Sequence, residues 1–359
     1  MFLKSLFKRE RIRTRFAPSP SGFLHVGGLR TALYSYLFAK QHGGKFILRI
    51  EDTDVKREVE NAAEIIYKNL KWAGIKYDEG PDIGGSYGPY IQSQRLEIYK
   101  NYTDKLIENN NAYHCFCSEE TLEKMREEQI AKKQIPKYDR RCLSLNGDEV
   151  KEKLKSGAPF TLRMKIPENR IVEIEDIVRG KVLFHTNELD DQILLKSDGF
   201  PTYHLAVVVD DYLMKISHVI RSEEWLPSTP KHVLLYEYFG WEPPKWVHLS
   251  LILNPDKTKM SKRKGDVSVE DYTEKGYLPE AMLNFLAFLG WNPGTEKEVY
   301  SMKELIRDFS LEKVHKAGAI FNIEKLDWLN GHYIRRLSLD ELEKYVVPFL
   351  IKYFPNYDE

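Results

Sequence analysis

Arg13-Thr14-Arg15-Phe16-Ala17-Pro18-Ser19-Pro20-Ser21-Gly22-Phe23-Leu24-His25-Val26-Gly27-Gly28 runs from a short strand-like segment into a loop of Pro, Ser and Gly, and its reading decides the fold. Behind it, Leu29, Ala32, Leu33, Tyr36 and Leu37 recur at spacings of three and four, the pattern of a helix with one apolar face, and Gly43-Gly44 stops it. Phe46 to Ile50 then reads as a buried strand that ends in Glu51-Asp52-Thr53-Asp54. Strand, glycine-bearing loop, helix and strand in that order make a βαβ unit, so a parallel sheet with ligands at its strand ends is expected. Small residues ahead of the helix let backbone approach an anion, the helix N-terminus favours negative charge, and His25 sets an imidazole beside it. Taken alone, the same stretch also suits a tight strand-to-helix connection with no ligand.

Outward from this unit, a region from about Tyr113 to Lys196 breaks the rhythm with a charged helical stretch, Glu119 to Lys133, and strand-like pieces at Phe160 to Ile166 and Ile171 to Val178. It reads as an insertion. The α/β rhythm resumes with Val207 to Val209, His218 to Ile220, a helix through Lys231 to Phe239 closed by Gly240, and the strand-like Val247 to Leu253. After Asp266 the chain reads as mostly helical, and a new amphipathic helix begins near Leu339. The first ten residues carry Lys4, Lys8 and Arg9 among Phe2, Leu3, Leu6 and Phe7, basic enough for a targeting segment but too short in apolar residues for a secretory signal.

The 359 residues fit two or three domains, at roughly 150 residues each. Lys and Arg number 54, matched by 54 Asp and Glu, and 42% of residues are hydrophobic, which excludes a disordered chain and a uniformly basic nucleic-acid coat. Apolar runs such as Leu205 to Val209 fall far short of the roughly 20 residues that cross a bilayer, so no membrane span is expected. Three cysteines cannot make a disulfide framework, and a reducing compartment follows, cytoplasmic or organellar.

A second stretch, Lys257-Thr258-Lys259-Met260-Ser261-Lys262-Arg263-Lys264-Gly265, is a dense cationic loop interrupted by small residues. On its own it is a solvated charge run. Paired with His25-Val26-Gly27-Gly28 some 235 residues earlier, Lys259-Met260-Ser261-Lys262-Arg263 resembles the second of the two signature motifs of class I aminoacyl-tRNA synthetases. Arg15-Phe16-Ala17-Pro18-Ser19-Pro20, Arg49-Ile50-Glu51-Asp52-Thr53-Asp54, Gly199-Phe200-Pro201-Thr202-Tyr203-His204, Val219-Ile220-Arg221-Ser222-Glu223-Glu224-Trp225-Leu226 and Phe321-Asn322-Ile323-Glu324-Lys325-Leu326-Asp327-Trp328-Leu329-Asn330-Gly331-His332 narrow this to the bacterial-type glutamyl-tRNA synthetases. The resemblance covers nearly the whole chain from Arg13 to Arg336.

The resemblance implies an α/β fold: a discontinuous Rossmann-like catalytic domain with a parallel sheet at 1–112 and 197–255, and an inserted domain at 113–196 that binds the tRNA acceptor end. A signature-loop and stem-contact domain, mainly helical, follows at 256–336, and 337–359 begins an anticodon-binding helical domain cut short. It implies attachment of L-glutamate to tRNA(Glu) through a glutamyl-adenylate, with ATP and Mg2+, by a monomer. His25, Lys259 and Lys262 would be catalytic, and Ser21, His25, Gly27, Gly28, Glu224, Lys259, Ser261 and Lys262 would hold ATP. The glutamate pocket would comprise Arg15, Ala17, Ser19, Glu51, Tyr203, Arg221 and Trp225, with Glu51 near the amine and Arg15, Tyr203 and Arg221 near the side-chain carboxylate. In the related glutaminyl enzymes a neutral residue replaces Arg221. Some members of the family carry Asn where this chain has Val207, and many class I enzymes end the first signature in His where this chain has Gly28.

The chemistry fits these residue types without the name. In amino-acid activation a carboxylate attacks the α-phosphorus of ATP and pyrophosphate leaves, so in-line positioning and charge neutralisation are needed and a general base is not. Arginine suits a carboxylate through two parallel hydrogen bonds, and an acidic group suits an amine. Cys115 and Cys117, with Cys142 further on and Tyr138 between, resemble the ligands by which a subset of the family binds zinc. A closed zinc site wants four ligands, so Tyr138 or a histidine such as His114 must complete it. Two other readings share many of these motifs: the short paralogue that glutamylates queuosine in tRNA(Asp), and a tRNA-binding homologue without catalysis. The intact lysine loop and the residues through His332 speak against the first. The retention of His25, Glu51 and Arg221 speaks against the second.

Overall fold

The structure, a computed structural model, describes residues 12–20, 22–54, 59, 61–261 and 266–354. The basic stretch Met1 to Glu10 and the expected ATP ligands Ser21 and Lys262 lie outside the described residues. β1 (Arg13–Phe16) pairs in parallel with β2 (Lys45–Leu48), Arg13 opposite Lys45 and Phe16 opposite Leu48. Between them runs α1 (Val26–Gln41), which buries Leu29, Ala32, Leu33 and Leu37, the residues whose spacing marked its inner face. The chain leaves α1 through Gly43 at φ 63°, a left-handed conformation that glycine adopts without steric cost. α2 (Ala62–Trp72) and α3 (Leu96–Glu108) follow.

The region expected as an insert divides into two parts. β3 (Ala112–Cys115), β4 (Thr161–Met164) and β7 (Ile193–Leu195) form an antiparallel sheet with β4 in the middle, accompanied by α4 (Glu119–Ala131) and α5 (Gly147–Lys155). β5 (Ile171–Asp176) and β6 (Gly180–His185) make a hairpin that instead extends another sheet, in the order β6-β5-β9-β8. There β8 (His218–Ser222) and β9 (Lys245–Leu249) run parallel, with Arg221 opposite His248, and Asp176 at the end of β5 pairs with Trp246. The hairpin therefore reaches from the expected insert to the strands that carry the site. The backbone N–H of Ser217 donates to the Arg13 carbonyl at 2.9 Å, which ties the start of β8 to β1.

Val207 to Val209 lies in a helix, α6 (Tyr203–Leu213), and not in a strand. β-Branched residues lose side-chain freedom in a helix, a cost of a few tenths of a kcal/mol each. Burial outweighs it, because Leu205 through Val209 are all buried on a helix wrapped on every side. α6 packs against α3 and α7 (Thr229–Tyr238) in one core, while in another α1 packs against α9 (Pro279–Phe288) and α10 (Met302–Asp308), and α11 (Ile323–Ile334) packs against α9. Two short strands, β10 (Ile252–Leu253) and β11 (Ala319–Ile320), pair in parallel beside α8 (Val269–Glu274). The last helix, α12 (Leu339–Tyr353), leaves Tyr345, Val346, Ile351 and Tyr353 exposed.

Candidate active site

The parallel strands and the start of α1 border one cleft of about 680 Å³. All seven residues expected around glutamate line it, namely Arg15, Ala17, Ser19, Glu51, Tyr203, Arg221 and Trp225. His25, Gly27, Gly28, Glu224 and Lys259 of the expected ATP set line it too. Ser261 is not among its lining residues. Arg15 and Met260, 245 positions apart in sequence, thus meet in one space.

His25 caps α1: its Nδ1 accepts the backbone N–H of Gly27 at 2.9 Å. This bond fixes the imidazole at the start of the helix, against the cleft that both residues line. The glycines answer to close packing as well, since a Cβ on Gly27 would come within 3.1 Å of the His25 ring and one on Gly28 within 3.1 Å of Leu24. Across the cleft, Lys259 Nζ is ion-paired with Glu224, both side chains about half exposed.

The amino-acid end rests on a buried charge network that the sequence did not reveal. Asp211, near the C-terminal end of α6, accepts from Arg15 through both oxygens, at 3.0 and 3.3 Å, and from Arg49 at 2.8 Å. Arg49, fully buried, also donates to Glu51 at 2.9 Å. Asp210 faces the other way and accepts from Arg95 at 2.7 Å, Gln92 at 2.9 Å and the Tyr99 hydroxyl at 2.8 Å. Burial works against the Arg49 charge, but Asp211, Glu51 and Asp210 outweigh it and hold its pKa well above the ordinary value. Burial pushes the Glu51 carboxyl up, with Arg49 and Arg15 opposing. Asp211 shows the reverse balance: burial would raise it, and Arg15 and Arg49 hold it below the usual carboxylate range.

Arg221, on β8, is buried and donates to the Tyr203 hydroxyl at 2.9 Å, Thr229 Oγ1 at 2.9 Å and His248 Nε2 at 3.0 Å. Trp225 tilts over the Tyr203 ring at 4.4 Å and forms a partly exposed edge of the pocket. Val207, where some relatives carry Asn, is buried in α6 and offers no polar group.

At the far end of the insert, the sulfur atoms of Cys115, Cys117 and Cys142 lie within 4.8 Å of one another. The Tyr138 hydroxyl stands 3.3 Å from Cys115 Sγ and 3.5 Å from Cys117 Sγ, while His114 packs against Phe160 and stays out of the cluster. Burial raises the Cys115 thiol, but hydrogen bonds to Tyr138 and Arg163 overcome this and bring it to about 7. Three sulfurs and one oxygen at these spacings fit a tetrahedral ion.

A parallel sheet, a capped helix start beside Lys259 at one end of a cleft and a buried arginine at the other are the features to set against known proteins. The family model for class I tRNA synthetases (E and Q), catalytic domain, matches residues 11–328. The glutamate–tRNA ligase of Chlorobium phaeobacteroides is 56% identical over 350 residues, covering 95% of this chain and 70% of that protein, and that of Alkaliphilus metalliredigens is 54% identical, covering 96% and 71%. A crystal structure of a glutamate tRNA ligase from Elizabethkingia meningosepticum in complex with its amino acid superposes with a TM-score of 0.92 at 46% identity, covering 98% of this chain and 74% of that one. The chain belongs to the glutamate and glutamine family of class I tRNA synthetases.

Proposed function

We propose that the chain joins L-glutamate to tRNA(Glu), first forming glutamyl-adenylate from glutamate and ATP with release of pyrophosphate, then passing the acyl group to the tRNA with release of AMP. One observation carries this reading: a single cleft holds a buried arginine, a buried carboxylate and a helix start beside a lysine. Arg221 and Tyr203 receive the side-chain carboxylate, Arg15 supports them, and Glu51 faces the amine. Ala17 and Ser19 leave the room that the substrate backbone needs, and Trp225 covers it. The α-carboxylate then points toward the start of α1, where His25, Gly27 and Gly28 receive ATP with its Mg2+. Lys259 and Lys262 neutralise the charge that grows on the departing pyrophosphate, and Ser21 and Ser261 donate hydrogen bonds to the phosphates. Glu224 holds Lys259 until ATP competes for it.

The segment assignments belong to the same proposal: catalytic at 1–112 and 197–255, acceptor-end binding at 113–196, stem contact at 256–336, and the start of a helical anticodon domain at 337–359. Cys115, Cys117, Cys142 and Tyr138 would hold a structural zinc ion that ties α4 to β3. Metal analysis should find one zinc per chain, lost in Cys117→Ser.

The test of the reaction is exchange of labelled pyrophosphate into ATP, with glutamate or glutamine, in the presence and absence of tRNA(Glu). Exchange with glutamate when tRNA is present, and none with glutamine, is expected. Absence of exchange under every condition would overturn the reading.

A further inference from the structure

The Arg221 guanidinium can only donate hydrogen bonds, and this fixes the protons of the rings around it. Its Nε lies 3.0 Å from His248 Nε2, so that nitrogen carries a lone pair and the ring proton sits on Nδ1, 2.6 Å from Asp176 Oδ2. Asp176, at the end of the β5 hairpin strand, also accepts the backbone N–H groups of Val178, Arg179 and His248 at 2.7 to 3.0 Å, which fixes its carboxyl group in place. On the other side, Arg221 Nη1 lies 3.4 Å from His232 Nδ1, which places the His232 proton on Nε2, 3.0 Å from His204 Nδ1. Both imidazoles are almost fully buried, at 0% and 1% exposure for His248 and His232, and burial lowers the pKa of each.

Every hydrogen-bond partner of Arg221 among the described residues is therefore neutral: two imidazoles, two hydroxyls and the Trp225 carbonyl. Arg15, which lines the same cleft, and Arg49, buried behind it, each touch a carboxylate directly. A guanidinium already matched by a carboxylate gains little from a second anion, whereas one oriented by neutral acceptors keeps its charge for the ligand. The carboxyl group that fixes this arrangement, that of Asp176, stands one ring away.

We propose that His248, held by Asp176, and His232, backed by His204, are positioning residues that aim Arg221 through neutral acceptors and so set the preference for a carboxylate over an amide in the pocket. This rests on the reading that Arg221 receives the glutamate side chain, and adds the layer that keeps its charge uncompensated.

The experiment measures kcat/KM for glutamate and for glutamine by pyrophosphate exchange, with tRNA(Glu) present, in the full chain and in Arg221→Gln, His248→Glu and His248→Gln. His248→Glu sets a carboxylate against Arg221 and should lower the glutamate-to-glutamine ratio by about tenfold or more, with the KM for ATP little changed. His248→Gln, whose amide oxygen can accept the same N–H, should recover most of that loss. A merely structural role would lower both amino acids and ATP together, and that result would overturn the proposal. Nitrogen-15 NMR of the histidine-labelled unmodified chain reads the same claim without any variant: His248 should be neutral and protonated on Nδ1, and an Nε2-protonated or doubly protonated ring would overturn it. If Arg221→Gln keeps its preference for glutamate, the underlying reading of Arg221 fails. If Arg221→Gln loses it while a folded His248→Glu keeps it, only the positioning role fails.

Discussion

The two ends of the cleft are built from different physics. At the amino-acid end, Arg15, Arg49, Glu51, Asp211 and Arg221 are buried and locked to one another or to neutral partners at 2.8 to 3.4 Å. At the phosphate end, Lys259 and Glu224 form one ion pair in solvent, with side chains 55% and 46% exposed. Coulomb forces are several-fold stronger between buried groups than at a wetted surface, and fixed partners hold an ion at one place. Discrimination between a carboxylate and an amide needs that stiffness. A triphosphate that arrives with a metal ion and departs as pyrophosphate is better served by an exposed cation that can exchange partners.

The contrast breaks most readily at Arg49. Arg49→Met would leave Asp211, Glu51 and Asp210 facing each other without a central cation, and removing one partner from a buried pair costs about 3–5 kcal/mol of stability. Chemical denaturation should show a loss of this size. A loss below about 1 kcal/mol would mean that the network is solvated like the phosphate end.

A smaller effect should appear on mild acidification. His204, lowered by burial to about 3, and His232, held well below its ordinary value by burial and Arg221, stay neutral when folded, whereas in the unfolded chain they titrate near 6.5. Below pH 6.5 the unfolded chain therefore binds protons that the folded one refuses, so stability falls as pH falls and is unaffected by these groups above that point. Between pH 6.5 and 5.5 the loss should be roughly 1 kcal/mol for each histidine. Denaturation midpoints that do not move across this window would contradict the buried, neutral state. The Glu51 carboxyl, raised by burial, acts in the opposite sense.

The smallest stability effect belongs to the phosphate end. Lys259→Ala removes an exposed ion pair and should change stability by less than about 1 kcal/mol, while lowering the turnover of pyrophosphate exchange. Unfolding at a lower denaturant concentration, with unchanged turnover, would assign Lys259 to the scaffold.

What could be read in the sequence divides along the same line. The helix of α1 was legible because its inner face repeats at three and four residues, and the seven pocket residues because they sit in short ordered motifs. Val207 to Val209 misled because a β-branched run signals a strand unless one knows that all sides of it are buried. The β5–β6 hairpin was legible as two strands, but its pairing with β9 depends on Asp176 meeting Trp246, 70 positions later. The supports of the pocket stayed hidden for the same reason. Asp211 lies 196 residues from Arg15, and His248 lies 72 from Asp176, and no local spacing records either pair. Asp210-Asp211 did carry a signal, two adjacent carboxylates in an otherwise apolar run, which in a buried helix demand cationic partners.

The most direct test of the central claim is the ratio of kcat/KM for glutamate in Arg221→Gln to that in the unaltered chain, measured by pyrophosphate exchange with tRNA(Glu) present. The account predicts a fall of about a hundredfold or more, as expected when a buried carboxylate loses a directly paired cation, with the KM for ATP little changed. Unchanged kcat/KM for glutamate in a folded Arg221→Gln chain would contradict it.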